Sequence, residues 1–230
     1  MKESVGSNPI YRLLKKENNV YLPQEQAIAY RLRGATLLLH PHHAIFWKER
    51  KTLIIANLRQ REAGENAESV ARYMEMLTGL FLEFDPEHVL FLGDLFYSHD
   101  LAAWEDLGML LARFDWLKID LVVDQSDLPN RAIYDDFEIS LHEAPYQLAP
   151  FLFSGYPMSI IPDPFYNLAC TPSPSVVLKT AYQGIPVPCF IFGADAGILP
   201  AFGEKIEDSY LTPKAGDKVF AIQGAQIVAI

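Results

Sequence analysis

The run Val89-Leu90-Phe91-Leu92, followed at once by Gly93-Asp94, sets the tightest limit on the fold. Four consecutive apolar residues do not suit a strand with one wet face. They suit a strand buried on both faces, the habit of parallel sheets covered by helices. Gly93 permits a sharp turn, and Asp94 arrives at the strand's carboxyl end, the edge where open α/β sheets bind ligands. A carboxylate there is a natural ligand for a hard divalent cation.

The surrounding pattern supplies the partners such a strand needs. Ala27–Leu32 and Ala35–Leu39 around Arg33-Gly34 predict a hairpin, and Ala44–Trp47 with Thr52–Ala56 around Lys48-Glu49-Arg50-Lys51 predict a second. Val70, Tyr73, Met74, Leu77, Leu80, Phe81 and Phe84 recur at three and four, so a helix is predicted over 65–84, stopped by Asp85-Pro86. Leu101, Trp104, Leu107, Leu110, Leu111 and Phe114 predict another over 101–114. The Trp, Met and Phe residues of both helices are read as core. Ile119–Val123 is the next strand and runs into Asp124-Gln125-Ser126-Asp127. Strand, helix, strand, helix, strand implies parallel βαβ units. Beyond Phe114 the chain turns to proline and short strands at Ile139–His142, Phe151–Gly155, Pro188–Phe192 and Lys218–Ile222. These predict a second, mixed or antiparallel sheet packed on the first. Residues 1–20 are read as an N-terminal arm or extension, and 21–230 as one domain.

Composition narrows the function classes. The net charge of −10 and a pI near 5.0 argue against a general nucleic-acid binder, which needs a basic stripe. No run approaches the roughly 18 apolar residues of a membrane span, and Met1-Lys2-Glu3-Ser4 opens no apolar signal core. Cys170 and Cys189 stand in unrelated contexts and are read as reduced, buried thiols of a cytoplasmic protein.

The order of motifs resembles the calcineurin-like metallophosphoesterases, and more narrowly the bacterial branch encoded beside a DNA ligase and a helicase and tied to the DNA-damage response. The resemblance covers about residues 35 to 230. It is carried by Leu39-His40-Pro41 with Ala44–Trp47, Gly93-Asp94-Leu95-Phe96, His142-Glu143-Ala144-Pro145, Leu152-Phe153-Ser154-Gly155, Pro188-Cys189-Phe190, Gly197–Gly203 and Gly216–Phe220. It implies a four-layer α/β/β/α sandwich of two mixed sheets with flanking helices. It also implies a two-metal site that activates a water and clamps phosphate oxygens.

This sequence departs from the family's ligand pattern at most positions. Asn57-Leu58-Arg59 stands for Asp-x-His, Asp124-Gln125-Ser126-Asp127 for Gly-Asn-His-Asp, and Gly155-Tyr156-Pro157-Met158 for Gly-His-x-His. Only Asp94 and His142 remain as good ligands. The first metal position would face Asn57, Arg59, Asp94 and Met158, where a guanidinium repels a cation and a thioether is too soft for magnesium or manganese. The second would hold Asp94 and His142, with the Gln125 amide and Tyr156. Ser126 replaces the histidine beside the leaving group. Arg59 is expected to take the first metal's place and pair with Asp94, because a buried carboxylate needs a partner.

Plainer roles stand beside these. Asp94 can cap a loop, His142 can be a hydrogen-bonded core histidine, and Tyr156 can fill space or stack on a ligand. His40, His42 and His43 read as a solvated turn rather than a metal cluster, and His88 and His99 flank the Asp94 strand. Three functional readings follow. The first is a non-catalytic binding or assembly protein, with a DNA-repair protein, an active homologue or a second copy of the chain as partner and no membrane role. The second is a phosphoesterase with one weak manganese or magnesium ion at Asp94 and His142. The third is a phosphate or small-anion binder through Arg59, where Arg61 adds positive charge.

Overall fold

The computed structural model describes residues 27–58, 67–95, 101–124, 134, 137–179, 184–203 and 211–230. The strands are β1 Ile28–Leu32, β2 Ala35–His40, β3 Ala44–Trp47, β4 Thr52–Ala56, β5 His88–Leu92, β6 Lys118–Val123, β7 Ile139–Glu143 and β8 Tyr146–Leu148. They continue with β9 Phe151–Ser154, β10 Tyr166–Ala169, β11 Ser175–Lys179, β12 Gly184–Phe192, β13 Ala196–Ile198, β14 Lys218–Gln223 and β15 Gln226–Ala229. Two long helices, α1 Ala67–Phe84 and α2 Leu101–Leu111, lie between β4 and β6 in the chain. The expected arm over 1–20 lies outside the described residues.

The first sheet runs in chain order from β1 to β7. Its hairpins form where the sequence predicts them. Leu32 faces Ala35 across a turn in which Arg33 and Gly34 both take positive φ (49° and 83°), the combination that matches strand twist in a two-residue hairpin. From β4 onward the pairs are parallel, with Ile54 opposite Leu90 and Leu90 opposite Asp120. Val89, Leu90, Phe91 and Leu92 are at most 1% exposed, as a doubly covered strand requires. Val89 and Phe91 pack under the helices with Leu77, Phe81, Trp104 and Leu107. Leu90 and Leu92 face the second sheet with Phe151, Phe153, Leu168 and Phe192.

The second sheet has the order β15-β14-β12-β13-β10-β9-β8, mixing parallel and antiparallel pairs, and β11 pairs with β12 off that path. Its outer face carries Val176, Cys189, Ile191 and Val219. Both α1 and α2 cover the first sheet.

Four expectations are corrected. Ile139–His142 belongs to the first sheet, parallel to β6, with Val122 opposite His142. Contacts across the strand settle the placement: Ile139 packs under the helices, while His142 turns inward to the β6 carboxylate Asp120. The His40–His43 turn is not solvated. His40 and His43 are buried, and His43 Nδ1 lies 2.6 Å from the Ala201 carbonyl, so that nitrogen carries the proton. Met109 on α2 is 63% exposed rather than core. Tyr156 does not fill a void; its ring is in solvent.

Asp120 is the polar junction of the sandwich. It is fully buried and faces the second sheet beside Tyr146. His88 Nε2 lies 2.8 Å and Lys118 Nζ 3.0 Å from its Oδ2, and His142 Nε2 lies 3.1 Å from its Oδ1. Burial alone would raise this carboxyl's pKa, yet the His88, Lys118 and His142 contacts outweigh it and hold the group well below the usual carboxylate range.

Breaking a buried pair leaves its partners uncompensated, at about 3–5 kcal/mol. Asp120→Ala is therefore expected to lower unfolding stability by that order in urea titrations at neutral pH. A second expectation concerns acid. Burial pushes His43 down to about 4, and burial with the neighbouring His40 charge does the same for His42. Both stay neutral in the fold but take protons in the unfolded chain below about pH 6.5. Stability is thus full above that pH and falls as pH drops toward 4. His43→Gln should flatten that slope in melts run from pH 7 to 4.

Candidate functional site

Three adjacent strand ends converge at the carboxyl edge of the first sheet: Asn57 after β4, Gly93-Asp94 after β5 and Asp124 after β6. Asn57 takes φ 44°, a left-handed conformation that Asn tolerates better than most residues. That turn lets its backbone N–H donate to Leu92 O at 2.9 Å and brings its side chain over the β5 end. The amide then engages both of its polar ends. Its Oδ1 accepts the Asp94 N–H at 3.2 Å, and its Nδ2 donates to Cys170 O at 2.8 Å. One side chain thus ties β4, β5 and the end of β10 in the opposite sheet.

Gly93 is required by this arrangement. Its φ is 83°, and a Cβ there would run into Asn57 Oδ1 and Cys170 Sγ. On the other sheet, Gly155 O accepts from Cys170 N–H at 3.1 Å and Thr171 N–H at 2.7 Å. Gly155 N–H points at Asp124 Oδ1 at 3.4 Å, and a Cβ at 155 would collide with that carboxylate. The two sheets are therefore stitched at this edge by backbone and amide groups.

The electrostatics are acidic. Burial, with the Asp124 and Asp94 carboxylates adding in the same direction, pushes the Cys170 thiol up to about 12. A thiol so held is protonated at neutral pH. Burial and the Asp94 charge likewise push Tyr134 up to about 12. Among the described residues no group of three or more His, Cys, Asp or Glu is arranged to hold a metal ion. The described donors at this edge are an amide with both ends hydrogen-bonded, two carboxylates and a buried thiol, and these do not by themselves make up the two-metal site that the resemblance implies.

Of the expected site residues, the structure brings Asn57 and Asp94 together. His142 sits opposite Val122, two strands from β5, a lateral spacing of about 10 Å. Its ring points to Asp120, toward the amino end, and stacks on Tyr146 at 4.1 Å between centroids. Tyr156 and Met158 follow β9 on a loop pinned by Ser154 Oγ–H donating to Tyr156 O and by Met158 N–H donating to Asn167 Oδ1. Arg59, Gln125, Ser126 and His99 lie outside the described residues, and with them the expected Arg59–Asp94 pair and the Arg59 anion site. Sequence reasoning placed Asp124 in the run that stands for a family ligand motif but gave it no role, and it missed Tyr134 and Asn167. Asp124 carried the same signal as Asp94, a carboxylate closing an apolar strand. Asn167 carried none, since its role depends on where β9 and β10 pair.

Gly93→Ala should cost about 1–3 kcal/mol from backbone strain alone and more from the collision with Asn57. Gly34→Ala is the matched control, because φ there is also 83° but a Cβ meets only open space. Urea unfolding of both variants is expected to show the larger loss at Gly93.

No protein-family model and no curated protein sequence matches this chain. Among solved structures, Pseudomonas putida nuclease MPE is similar to it with a TM-score of 0.78 at 22% identity, covering 89% of this chain and 100% of that one. The path of strands and helices described above, an α/β sandwich of two mixed sheets, is thus the fold of that nuclease.

Proposed function

We propose that this chain is a phosphoesterase-fold protein that does not run the two-metal reaction and acts as a binding or assembly protein. The observation that carries this reading is the state of Asn57. At the position where the resembled family places its first acidic ligand, the side chain is neutral and both its polar ends are engaged in joining loops. The thiol behind it is held protonated. His142, the other surviving ligand type, is turned to Asp120. The resemblance to the DNA-damage branch and the likeness in fold to a nuclease support a DNA-repair protein or an active homologue as the partner.

A hydrolase reading is favoured by one observation, the neighbour being a nuclease. It would use a single ion on Asp94, with Asp124 at the adjacent strand end.

Hydrolysis of bis(p-nitrophenyl) phosphate with millimolar manganese separates the two. The expected result is a rate equal to the protein-free blank for both the native chain and Asp94→Asn. Manganese-dependent turnover that disappears in Asp94→Asn would establish the hydrolase reading and overturn the proposal.

A further inference from the structure

Among the described residues, the loop from Tyr156 to Phe165 carries two of the most exposed large apolar side chains. Tyr156 is 63% and Ile160 82% exposed, and Pro157, Pro162 and Pro164 are also exposed. Isolated exposed apolar residues need no explanation, but a contiguous set on one loop does. This loop is also held in place. Ser154 Oγ–H donates to Tyr156 O at 2.7 Å, Met158 N–H to Asn167 Oδ1 at 2.9 Å, and Phe165 N–H to Pro162 O at 2.9 Å. Asn167 is fully buried and donates through Nδ2 to Leu152 O and Ser154 Oγ, so the anchor is rigid. Three prolines and a buried anchor reduce the ordering entropy that a partner would otherwise have to offset.

Charge says what such a partner looks like. Residues 154–178 contain no Lys, Arg or His, and their single charged residue is Asp163, which is exposed. At the root of the loop Asp124 sits against Gly155. The loop thus has one carboxylate at its root and another within it, and no positive charge of its own, on a chain of net charge −10. A second copy of this chain would bring the same carboxylates to the contact and be repelled, whereas lysine or arginine beside aliphatic side chains would meet complementary groups.

We propose that the Tyr156–Phe165 loop is a docking surface for a segment of another protein in which lysine or arginine alternates with aliphatic residues. The proposal rests on the binding-protein reading and gives its site and partner class. Anchors such as Tyr156 carry most of the energy at an interface of this kind, so their removal is expected to weaken binding about ten-fold or more.

The test uses the full chain and two fluorescein-labelled synthetic peptides of equal length, one alternating leucine with lysine and one alternating leucine with glutamate, read by fluorescence anisotropy at fixed ionic strength. The leucine–lysine peptide is expected to bind and the leucine–glutamate peptide not to. The double variant Tyr156→Ser with Ile160→Ser should lose about ten-fold in affinity, while Met109→Ser, which removes an equally exposed apolar side chain from α2, should lose none. Thermal melts check that both variants fold. Equal binding by native chain and double variant, equal loss in Met109→Ser, or binding of the acidic peptide overturns the docking site. The manganese assay reads the other question separately. Loop-dependent peptide binding together with manganese-dependent hydrolysis would keep the docking site and remove the non-catalytic reading, and the converse pair of results would do the opposite.

Discussion

Everything in this molecule depends on the apolar layer between the two sheets. Leu39, Ile45, Ile54, Leu90, Leu92 and Val122 from one sheet meet Phe151, Phe153, Leu168, Phe190 and Phe192 from the other. Each side chain so buried contributes about 1.5–3 kcal/mol relative to exposure. Aromatic edges add direction to that contact, as where Trp47 meets Phe151 at a centroid distance of 4.9 Å and Tyr30 meets Phe192 at 4.7 Å. Because the layer fixes the two sheets against each other, their ends are fixed as well, and small groups at those ends can form short, defined hydrogen bonds. The Asn57–Cys170 bond at one end and the Asp120 cluster toward the other are consequences of that registration.

The two ends differ in chemistry. Toward the amino end a buried carboxylate gathers two imidazoles and an ammonium, and its charge is compensated inside the fold. At the carboxyl end Asp94 and Asp124 stand at loop starts and are half-buried. A binding surface belongs at the second kind of end, since groups already compensated inside the core have little interaction left to offer.

Much of this was legible in the sequence because local pattern and global fold agree. The β5 run, the period of α1 and the Arg33-Gly34 turn each permit one structure only, and each formed as read. What escaped was decided by distant contacts. Ile139–Glu143 reads equally well as a strand of either sheet; the carboxylate of Asp120 on β6 gives His142 its partner, and no local pattern records that. The His40–His43 turn looks wet by composition, yet the Ala201 carbonyl, 158 residues away, accepts from His43 and draws it inside. Tyr156 reads as filler or as a stacking ring, but 63% of it is exposed, and only the position of the loop beyond β9 decides that. The site itself was half legible: the strand-end carboxylates are visible as letters, while the amide bonding that joins the loops depends on the three-dimensional meeting of β4, β5 and β10.

The Asn57 amide also makes substitution at position 57 asymmetric. An aspartate at 57 could still accept the Asp94 N–H, but it has no hydrogen to give the Cys170 carbonyl. A buried acceptor left without a donor costs about 1–3 kcal/mol, and a third carboxylate would join Asp94 and Asp124 on an already acidic edge. Asn57→Asp by itself therefore loses stability. Position 57 thus behaves as a one-sided lock: the hydrogen bond to Cys170 holds the amide in place, and exchanging it for a carboxylate runs uphill on its own.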